Sequence, residues 1–149
     1  LVIGSTWKSK NYPKENFLEL AEKLQQNCFV IWGSNEEKET AEWLVKRSGY
    51  IKMLPRLSLE DLKKIIQHAK LLIGNDTGPT HMAWGLNTPS ITLFGPTPTS
   101  LVYQTQINKV LKSSSEVDQF NLDKNNFSIS EIAVKDILVM SKKLLGEHI

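Results

Sequence analysis

Short apolar runs alternate along this chain with longer segments whose apolar residues recur every three or four positions. The short runs predict buried strands, and the longer segments predict amphipathic helices. In the segment 13–26, for example, the apolar residues that recur at helical spacing are Phe17, Leu18, Leu20, Ala21 and Leu24, and Pro13 suits the first turn of a helix. The predicted strands are 1–3, 28–32, 50–54, 70–73, 90–94 and 110–111. The predicted helices are 13–26, 36–48, 59–68, 80–86 and 131–145. Ser58 is the expected N-cap of helix 59–68, and Ser130 is the expected N-cap of helix 131–145.

This strict alternation of strands and helices predicts an α/β fold: a Rossmann-like parallel sheet with helices on both faces. Ligands of such sheets bind outside the carboxyl ends of the strands. The segments 5–10, 33–37, 55–57, 75–81 and 95–100 follow the predicted strands and should therefore lie at that edge. We expect the functional residues of the chain among them.

Composition narrows the function classes. A chain of 149 residues fits one domain, and a net charge of +2 from scattered lysines does not favour nucleic-acid binding. The single cysteine, Cys28, lies in an apolar run and is expected to be a buried thiol. Because the chain opens directly on a predicted buried strand, we expect residues 1–149 to be one domain whose N-terminal companion is missing.

The segment 74–83 holds the densest group of candidate functional residues. An apolar strand stops there at small and turn-forming residues, and a helix begins at once. A helix N-terminus suits an anion such as phosphate. Asp76, Thr77 and His81 add an acceptor, a hydroxyl and an imidazole, and Gly78 lets backbone approach a ligand. The alternative is helix capping by Asp76 or Thr77 with His81 packed on the helix.

Two further turns carry candidate ligand contacts. Ser5, Thr6 and Lys10 follow the first predicted strand, and hydroxyls and an ammonium are suitable partners for phosphate oxygens. Glu37 follows the second predicted strand, where an acidic residue can accept hydrogen bonds from ribose hydroxyls. The alternatives are a solvated loop for the first turn and stabilisation of a helix N-terminus for Glu37.

Two other kinds of site are disfavoured. Asp76 and His81 could ligate a metal ion, but no third ligand is evident nearby in the sequence, so no metal site is predicted. The sequence also lacks the Gly-x-Ser-x-Gly elbow of serine hydrolases.

Taken together, these turns resemble the C-terminal domain of family 9 glycosyltransferases. Within that family the chain is most similar to the ADP-heptose:lipopolysaccharide heptosyltransferases, in particular the heptosyltransferase I group. Four motifs in the family's order carry the resemblance: Ser5-Thr6 with Lys10-Asn11-Tyr12-Pro13; Trp32-Gly33-Ser34 with Glu37; Leu54-Pro55-Arg56-Leu57-Ser58-Leu59; and Asp76-Thr77-Gly78-Pro79-Thr80-His81 through Phe94-Gly95-Pro96-Thr97.

The resemblance implies a role for each motif in binding a nucleotide-sugar donor. It implies that Ser5, Thr6 and Lys10 contact the donor's diphosphate. Glu37 would match the position that grips the ribose. Leu57 would lie beside the adenine, where relatives carry Met, and this exchange keeps the site apolar.

The same resemblance assigns the helix N-terminus to the sugar end of the donor. Asp76 would match a position near the transferred sugar. Thr77, Gly78 and His81 would line the phosphate and sugar end, so that Asp76 and His81 support catalysis. The catalytic base of the family is an Asp of the N-terminal domain, and we expect this chain to lack that domain.

The resemblance therefore implies the C-terminal half of a GT-B enzyme that transfers heptose, with inversion, from ADP-heptose to a Kdo–lipid A acceptor in lipopolysaccharide biosynthesis. It implies no cofactor or metal, a place at the cytoplasmic face of the inner membrane with peripheral membrane association, and no transfer by this domain alone. The alternatives are the donor domain of another GT-B transferase or of a nucleotide-sugar epimerase, and a non-catalytic nucleotide-binding module.

Overall fold

The computed structural model describes residues 1–102, 104–114, 117–118 and 120–146, and these ranges contain five parallel strands and five α-helices. The order of elements is α1 (Lys14–Leu24), β1 (Cys28–Val30), α2 (Asn35–Val45), β2 (Ile51–Met53), α3 (Leu59–His68), β3 (Leu72–Asn75), α4 (Gly78–Gly85), β4 (Ser90–Phe94), β5 (Asn108–Lys112) and α5 (Val134–Leu144). Short 3-10 helices cover Lys8–Lys10, Thr99–Leu101 and Ser128–Glu131.

The strands form two parallel ladders joined by the start of the chain. β1 pairs with β2, and β3, β4 and β5 pair in that order. Val2 lies between the ladders and bridges to Ile31 on one side and to Gly74 on the other. With the segment around Val2 counted as the first strand, the strand order is 3-2-1-4-5-6, the order of dinucleotide-binding sheets.

Successive side chains of the central strands belong to two separate hydrophobic cores, one on each face of the sheet. Val2 and Leu72 pack with Ile66 of α3 and Ala83 of α4 on one face of the sheet. Neighbouring residues point the other way because successive side chains of a strand face opposite sides. The second core joins Ile3 and Ile73 to α1, α2 and α5 through Phe17, Leu20, Leu44 and Ile137, among others. The predicted parallel α/β fold with helices on both faces is confirmed.

The order of elements is as predicted, but several boundaries differ. The predicted strand 1–3 is reduced to isolated bridges at Val2, and the predicted strand 110–111 is the longer β5. Ser58 caps α3 as predicted, since its hydroxyl accepts the backbone N–H of Asp61 at 3.2 Å. The predicted cap at Ser130 is wrong. Ser130 lies within a 3-10 turn, and α5 begins only at Val134, because the chain turns once more after Ile129 enters the core.

Among the described residues, none of the helices combines the length and the apolar character that a membrane-crossing helix needs. Cys28 is a free, buried thiol, as its apolar setting predicts.

Candidate functional site

Two loops meet where the strand order reverses, between the Val2 segment and β3. Neighbouring connections leave this point in opposite directions, which opens a crevice at the carboxyl edge of the sheet. Asn75, the last residue of β3, is fully buried and joins the loops: its Oδ1 accepts the backbone N–H of Tyr12 at 3.0 Å. Its Nδ2 donates to the Oδ1 of Asn11 at 3.4 Å. This buried amide fixes the loop that carries Lys10 against the loop that carries Asp76.

Asp76 is the centre of the crevice. Its Oδ1 lies 2.6 Å from the Nε2 of His81, and its Oδ2 accepts the hydroxyl of Thr97 at 2.7 Å. The Nζ of Lys10 lies 3.4 Å from the same Oδ2 and donates to the main-chain carbonyl of Asp76 at 3.5 Å. Both carboxylate oxygens are therefore engaged by groups from three different segments of the chain.

These contacts keep the Asp76 side chain ionised, although only 11% of it is exposed. Burial is the largest single influence and raises the pKa of this carboxyl. The hydrogen bonds from His81 and Thr97, together with the charges of Lys10 and His81, outweigh burial and hold the pKa below its ordinary value. A fixed negative charge therefore lies beside the N-terminus of α4.

Lys10 lies between this carboxylate and an aromatic ring. Its Nζ is 4.9 Å from the centre of the Trp7 indole, close enough for a cation–π contact. The Nζ of Lys124 lies 4.7 Å from the same ring. The loop before α5 therefore brings a second ammonium to the edge of the crevice, within about one Debye length (about 10 Å at 0.1 M salt) of Lys10.

The N-terminus of α4 faces the crevice with unused polar groups. Thr77 is the N-cap, but its hydroxyl makes no capping bond, and its Oγ1 is buried without a hydrogen-bond partner among the described residues. Gly78 begins the helix, and a Cβ added there would meet open space. The first N–H groups of a helix have no intrahelical acceptor. The N–H groups of Thr77 and Gly78 therefore lack an intrahelical acceptor, and Gly78 is exposed.

The beginning of α4 approaches the sheet closely at Gly74. A Cβ at Gly74 would lie 2.5 Å from the Cβ of Val2 and 2.8 Å from the Oγ1 of Thr80, so only glycine fits between them. The hydroxyl of Thr80 donates to the carbonyl of Asn75 at 2.7 Å. This packing fixes the direction in which α4 leaves β3 and hence the position of its N–H groups.

The two hydroxyls of the first turn differ in their availability. The Ser5 hydroxyl lies 2.6 Å from the carbonyl oxygen of Trp7 and 3.0 Å from the Oδ1 of Asn11, so it is already used inside the loop. Thr6 is exposed, and its side chain remains available to a ligand.

Glu37 stabilises the N-terminus of α2, which is the structural alternative given for it above, and its side chain also lies at the crevice. Its Oε2 accepts the N–H of Ser34 at 3.4 Å, while the Ser34 hydroxyl accepts the N–H of Glu37 at 3.1 Å, which forms a capping box. The same Oε2 also accepts the N–H of Gly33 at 2.7 Å. The Glu37 side chain fills the space over Gly4, where a Cβ would collide with it. The carboxylate therefore lies at the carboxyl end of the Val2 segment.

The structure brings one part of the predicted site together directly. Lys10, Asp76 and His81 form a contiguous group at the switch point, with Thr77 and Gly78 beside it. Glu37 lies at the end of β1 on the adjoining side. Leu57 is partly buried in the loop between β2 and α3, on the same edge but further along the sheet.

Three contributors were absent from the set of site residues predicted from sequence: Asn75, Thr97 and Lys124. Thr97 was part of a motif, and a hydroxyl just after β4 is a usable signal, because neighbouring parallel strands end at the same edge. Asn75, directly before Asp76, offered the weaker signal of a polar side chain at the end of an apolar strand. Nothing in the sequence pattern indicates Lys124.

Two cavities lie beside the loops that follow β4 and β5. A cavity of about 160 Å³ borders the Thr97 loop, and one of about 570 Å³ is lined by Pro96, Asp118 and Phe127, among others. In the described part of the chain neither is lined by Lys10 or Asp76. In that same part of the chain, no three His, Cys, Asp or Glu side chains are grouped closely enough to hold a metal ion.

A family model and the sequences of known relatives both assign this chain to the same family. A family model for glycosyltransferase family 9 (heptosyltransferase) matches residues 1–127. Lipopolysaccharide heptosyltransferase 1 of Campylobacter coli is 36% identical over 157 residues, a match that covers 98% of this chain and 46% of the relative. Its counterpart from Salmonella typhimurium is 33% identical over 123 residues, which cover 80% of this chain and 39% of the relative. The chain thus spans less than half the length of these relatives.

Solved structures show the same fold. E. coli heptosyltransferase WaaC with ADP is 25% identical to this chain and superposes with a TM-score of 0.74 over 95% of this chain and 42% of that protein. The E. coli ADP-heptose lps heptosyltransferase II is 20% identical, with a TM-score of 0.79 over 97% of this chain and 45% of that protein. The resemblance inferred from the four motifs is confirmed, and the chain belongs to glycosyltransferase family 9.

Proposed function

We propose that this chain is the donor-binding domain of a heptosyltransferase and that it binds ADP-heptose across the carboxyl edge of the sheet. The observation that carries the proposal is the group formed by Lys10, Asp76 and His81 at the N-terminus of α4, which lies at the switch point of the sheet. In this fold class the switch point is where nucleotides bind. A similar heptosyltransferase has been solved with ADP, which supports the choice of nucleotide.

The diphosphate would lie over the N-terminus of α4. The free N–H groups of Thr77 and Gly78, the exposed hydroxyl of Thr6 and the ammonium of Lys10 would meet its oxygens. Charge-assisted hydrogen bonds of this kind also stabilise the negative charge that develops on a leaving diphosphate. The protein groups alone can therefore assist departure of the nucleotide, without a metal ion or other cofactor.

The rest of the donor would extend to both sides of the diphosphate. Glu37 would accept hydrogen bonds from the ribose, and Leu57 would cover the adenine further along the edge. At the other end, Asp76 and His81 would meet the hydroxyls of the transferred sugar. In this arrangement Ser5 contributes mainly through its backbone and through the loop bonds that its hydroxyl makes.

Transfer of the sugar requires a general base that deprotonates the acceptor hydroxyl. We assign no residue of this chain to that role. The complete enzyme would have the GT-B fold, with this chain as its C-terminal half and an N-terminal domain that supplies the base and binds a Kdo–lipid A acceptor. Such an enzyme would invert the anomeric centre and work at the cytoplasmic face of the inner membrane through peripheral contacts. Residues 1–149 alone would bind donor without transferring it.

The proposal is tested by calorimetric titration of the chain with ADP, UDP and GDP. ADP should bind most tightly. Lys10→Ala should weaken ADP binding by about 1–3 kcal/mol, the range for a lost charge-assisted contact. Lys8→Ala is the matched control, because Lys8 is exposed in the same turn and should leave the affinity unchanged. Equal affinity for the three nucleotides, or no effect of Lys10→Ala, would contradict the proposed site.

A further inference from the structure

The cation assigned to the diphosphate is already bound by a carboxylate of the same site. The Nζ of Lys10 lies 3.4 Å from the Oδ2 of Asp76 and 3.5 Å from its main-chain oxygen. If Lys10 binds a phosphate from this position, the phosphate comes within a few ångströms of the Asp76 carboxylate. If Lys10 moves to reach the phosphate, it abandons its contact with Asp76. Either way the carboxylate opposes binding of the anion.

Asp76 cannot turn aside to relieve this conflict. Its Oδ1 is held by His81 at 2.6 Å and its Oδ2 by Thr97 at 2.7 Å. The side chain is also largely buried, so little water is available to screen its charge. The negative charge therefore stays at a fixed place beside the expected sugar end of the nucleotide.

We propose that Asp76 is a specificity-determining residue that competes with the nucleotide's diphosphate for Lys10, and that it thereby favours a nucleotide sugar over the free nucleoside diphosphate. This inference rests on the function proposed above and goes beyond it, because it assigns to Asp76 an unfavourable contribution to the binding of ADP.

The two ligands differ in charge and in hydrogen-bond donors at the end that faces Asp76. The terminal phosphate of ADP has one substituent, the oxygen that bridges to the neighbouring phosphate. Like a phosphate monoester (second pKa about 6) it therefore carries a second negative charge at neutral pH. The same phosphate in a nucleotide sugar is a diester-like group with one charge. The attached sugar also brings hydroxyls that can donate to the carboxylate and replace the lost contact with Lys10.

The consequence is a site that holds its donor and releases its product. While the sugar is attached, Asp76 has hydroxyl donors. After the sugar has been transferred, the same carboxylate faces a dianionic phosphate, and the ion pair between Asp76 and Lys10 forms again. Release of ADP is thereby favoured by a contact that is present in this structure.

Calorimetric titration with ADP and with ADP-glucose as the nucleotide-sugar probe tests the inference, at one salt concentration and pH 7.5. The variants are Asp76→Asn, which removes the charge at nearly constant shape, and Asp76→Ala. Glu22→Gln is the matched control, because it changes net charge equally at an exposed position on α1. Thermal unfolding followed by circular dichroism establishes that each variant is folded.

We expect Asp76→Asn to bind ADP about tenfold more tightly than the unaltered chain, since Lys10 is then no longer paired with a carboxylate and its ammonium is available to the diphosphate. Its affinity for ADP-glucose should stay the same or fall. In a Lys10→Met background the gain should shrink to less than about threefold, because the cation for which the two anions compete is gone. Glu22→Gln should leave both affinities unchanged.

An ADP affinity that stays the same or falls in folded Asp76→Asn would overturn the inference, as would a gain that persists in full in Lys10→Met. If the unaltered chain binds ADP-glucose but the ratio of the two affinities does not move, the inference fails and the proposed function stands. If the unaltered chain binds neither nucleotide, the proposed function fails, and the inference fails with it.

Discussion

The buried side-chain oxygen of Asn75 accepts the backbone N–H of Tyr12 at 3.0 Å across 63 residues of sequence. In the described part of the chain no other side chain accepts this N–H, and Asn75 is 0% exposed. The bond therefore sets how the first turn rests on the end of β3. The distance between Lys10 and Asp76 follows from it.

Replacing Asn75 should cost stability because the Tyr12 N–H would be left in a buried place without an acceptor. We expect Asn75→Ala to lower the free energy of unfolding by about 1–3 kcal/mol, the cost of an unsatisfied buried donor. Urea denaturation measures the change. Gln67→Ala, an exposed amide on α3, is the control and should stay within about 0.5 kcal/mol of the unaltered chain. Equal effects of the two substitutions would show that the bond does not hold the turn.

The environment of the Tyr12 hydroxyl leads us to expect a loss of stability at high pH. Its hydroxyl donates to the carbonyl of Ile132, and burial, reinforced by the charges of Glu19 and Asp136 against a weaker opposing hydrogen bond with Asn16, raises its pKa to about 12 from 10.0. A raised pKa means that the folded state binds the phenolic proton more tightly than the unfolded state does. The stabilisation is therefore complete below pH 10 and is lost as pH rises towards 12.

Tyr12→Phe removes this dependence. The variant should be less stable at pH 7 by about 1 kcal/mol, for one lost hydrogen bond. The difference from the unaltered chain should narrow between pH 10 and 12 as Tyr12 ionises. Urea midpoints across this range measure it, with Tyr50→Phe, at a partly exposed tyrosine, as control. A difference that stays constant with pH would contradict the raised pKa.

Glu37 allows a test that separates its structural role from its proposed role in ribose binding. Glu37→Ala should weaken ADP binding by about 1.5–3 kcal/mol, the range for hydrogen bonds to a charged group. The loss should be smaller with 2′-deoxy-ADP or 3′-deoxy-ADP, whichever lacks the hydroxyl that Glu37 contacts. Calorimetric titration gives both values.

Ser34→Ala is the control for this test, because it removes the cap hydroxyl of α2 and leaves the carboxylate in place. It should cost about 1 kcal/mol of stability and little affinity. If Ser34→Ala weakens ADP binding as much as Glu37→Ala does, Glu37 acts on the ligand only through the helix.

Cys28 should be unreactive in the folded chain. Burial raises the pKa of its thiol, and only the thiolate attacks disulfide reagents. We expect its reaction with a chromogenic disulfide at pH 8 to be slower than in denaturant by roughly tenfold or more. An exposed cysteine introduced by Glu22→Cys in a Cys28→Ser background gives the reference rate. Equal rates for the two thiols in folded protein would show that Cys28 is accessible.

Local sequence determined the elements and the kinds of residue at their ends. Hydrophobic periods of two and of about 3.6 are short-range properties, so the helices α1 to α5 and the strands between them follow from a few neighbouring residues each. The cap at Ser58 is equally local. The same reasoning fails at Ser130, because the start of α5 depends on the burial of Ile129 in a core built by other segments.

Only the tertiary structure decided which of the polar turn residues share a site. Lys10 and Asp76 are 66 residues apart, and Thr97 reaches Asp76 from a third loop, across 21 residues. The alternation of strands and helices predicts that these loops lie at one edge of the sheet, but it does not give the strand order that makes them neighbours. That order follows from how whole helices pack on the two faces of the sheet, and the position of Lys124 beside Trp7 depends on it in the same way. The sequence by itself determined which groups each turn can use to bind a ligand. Long-range packing determined that the groups of these separate turns lie together in one site.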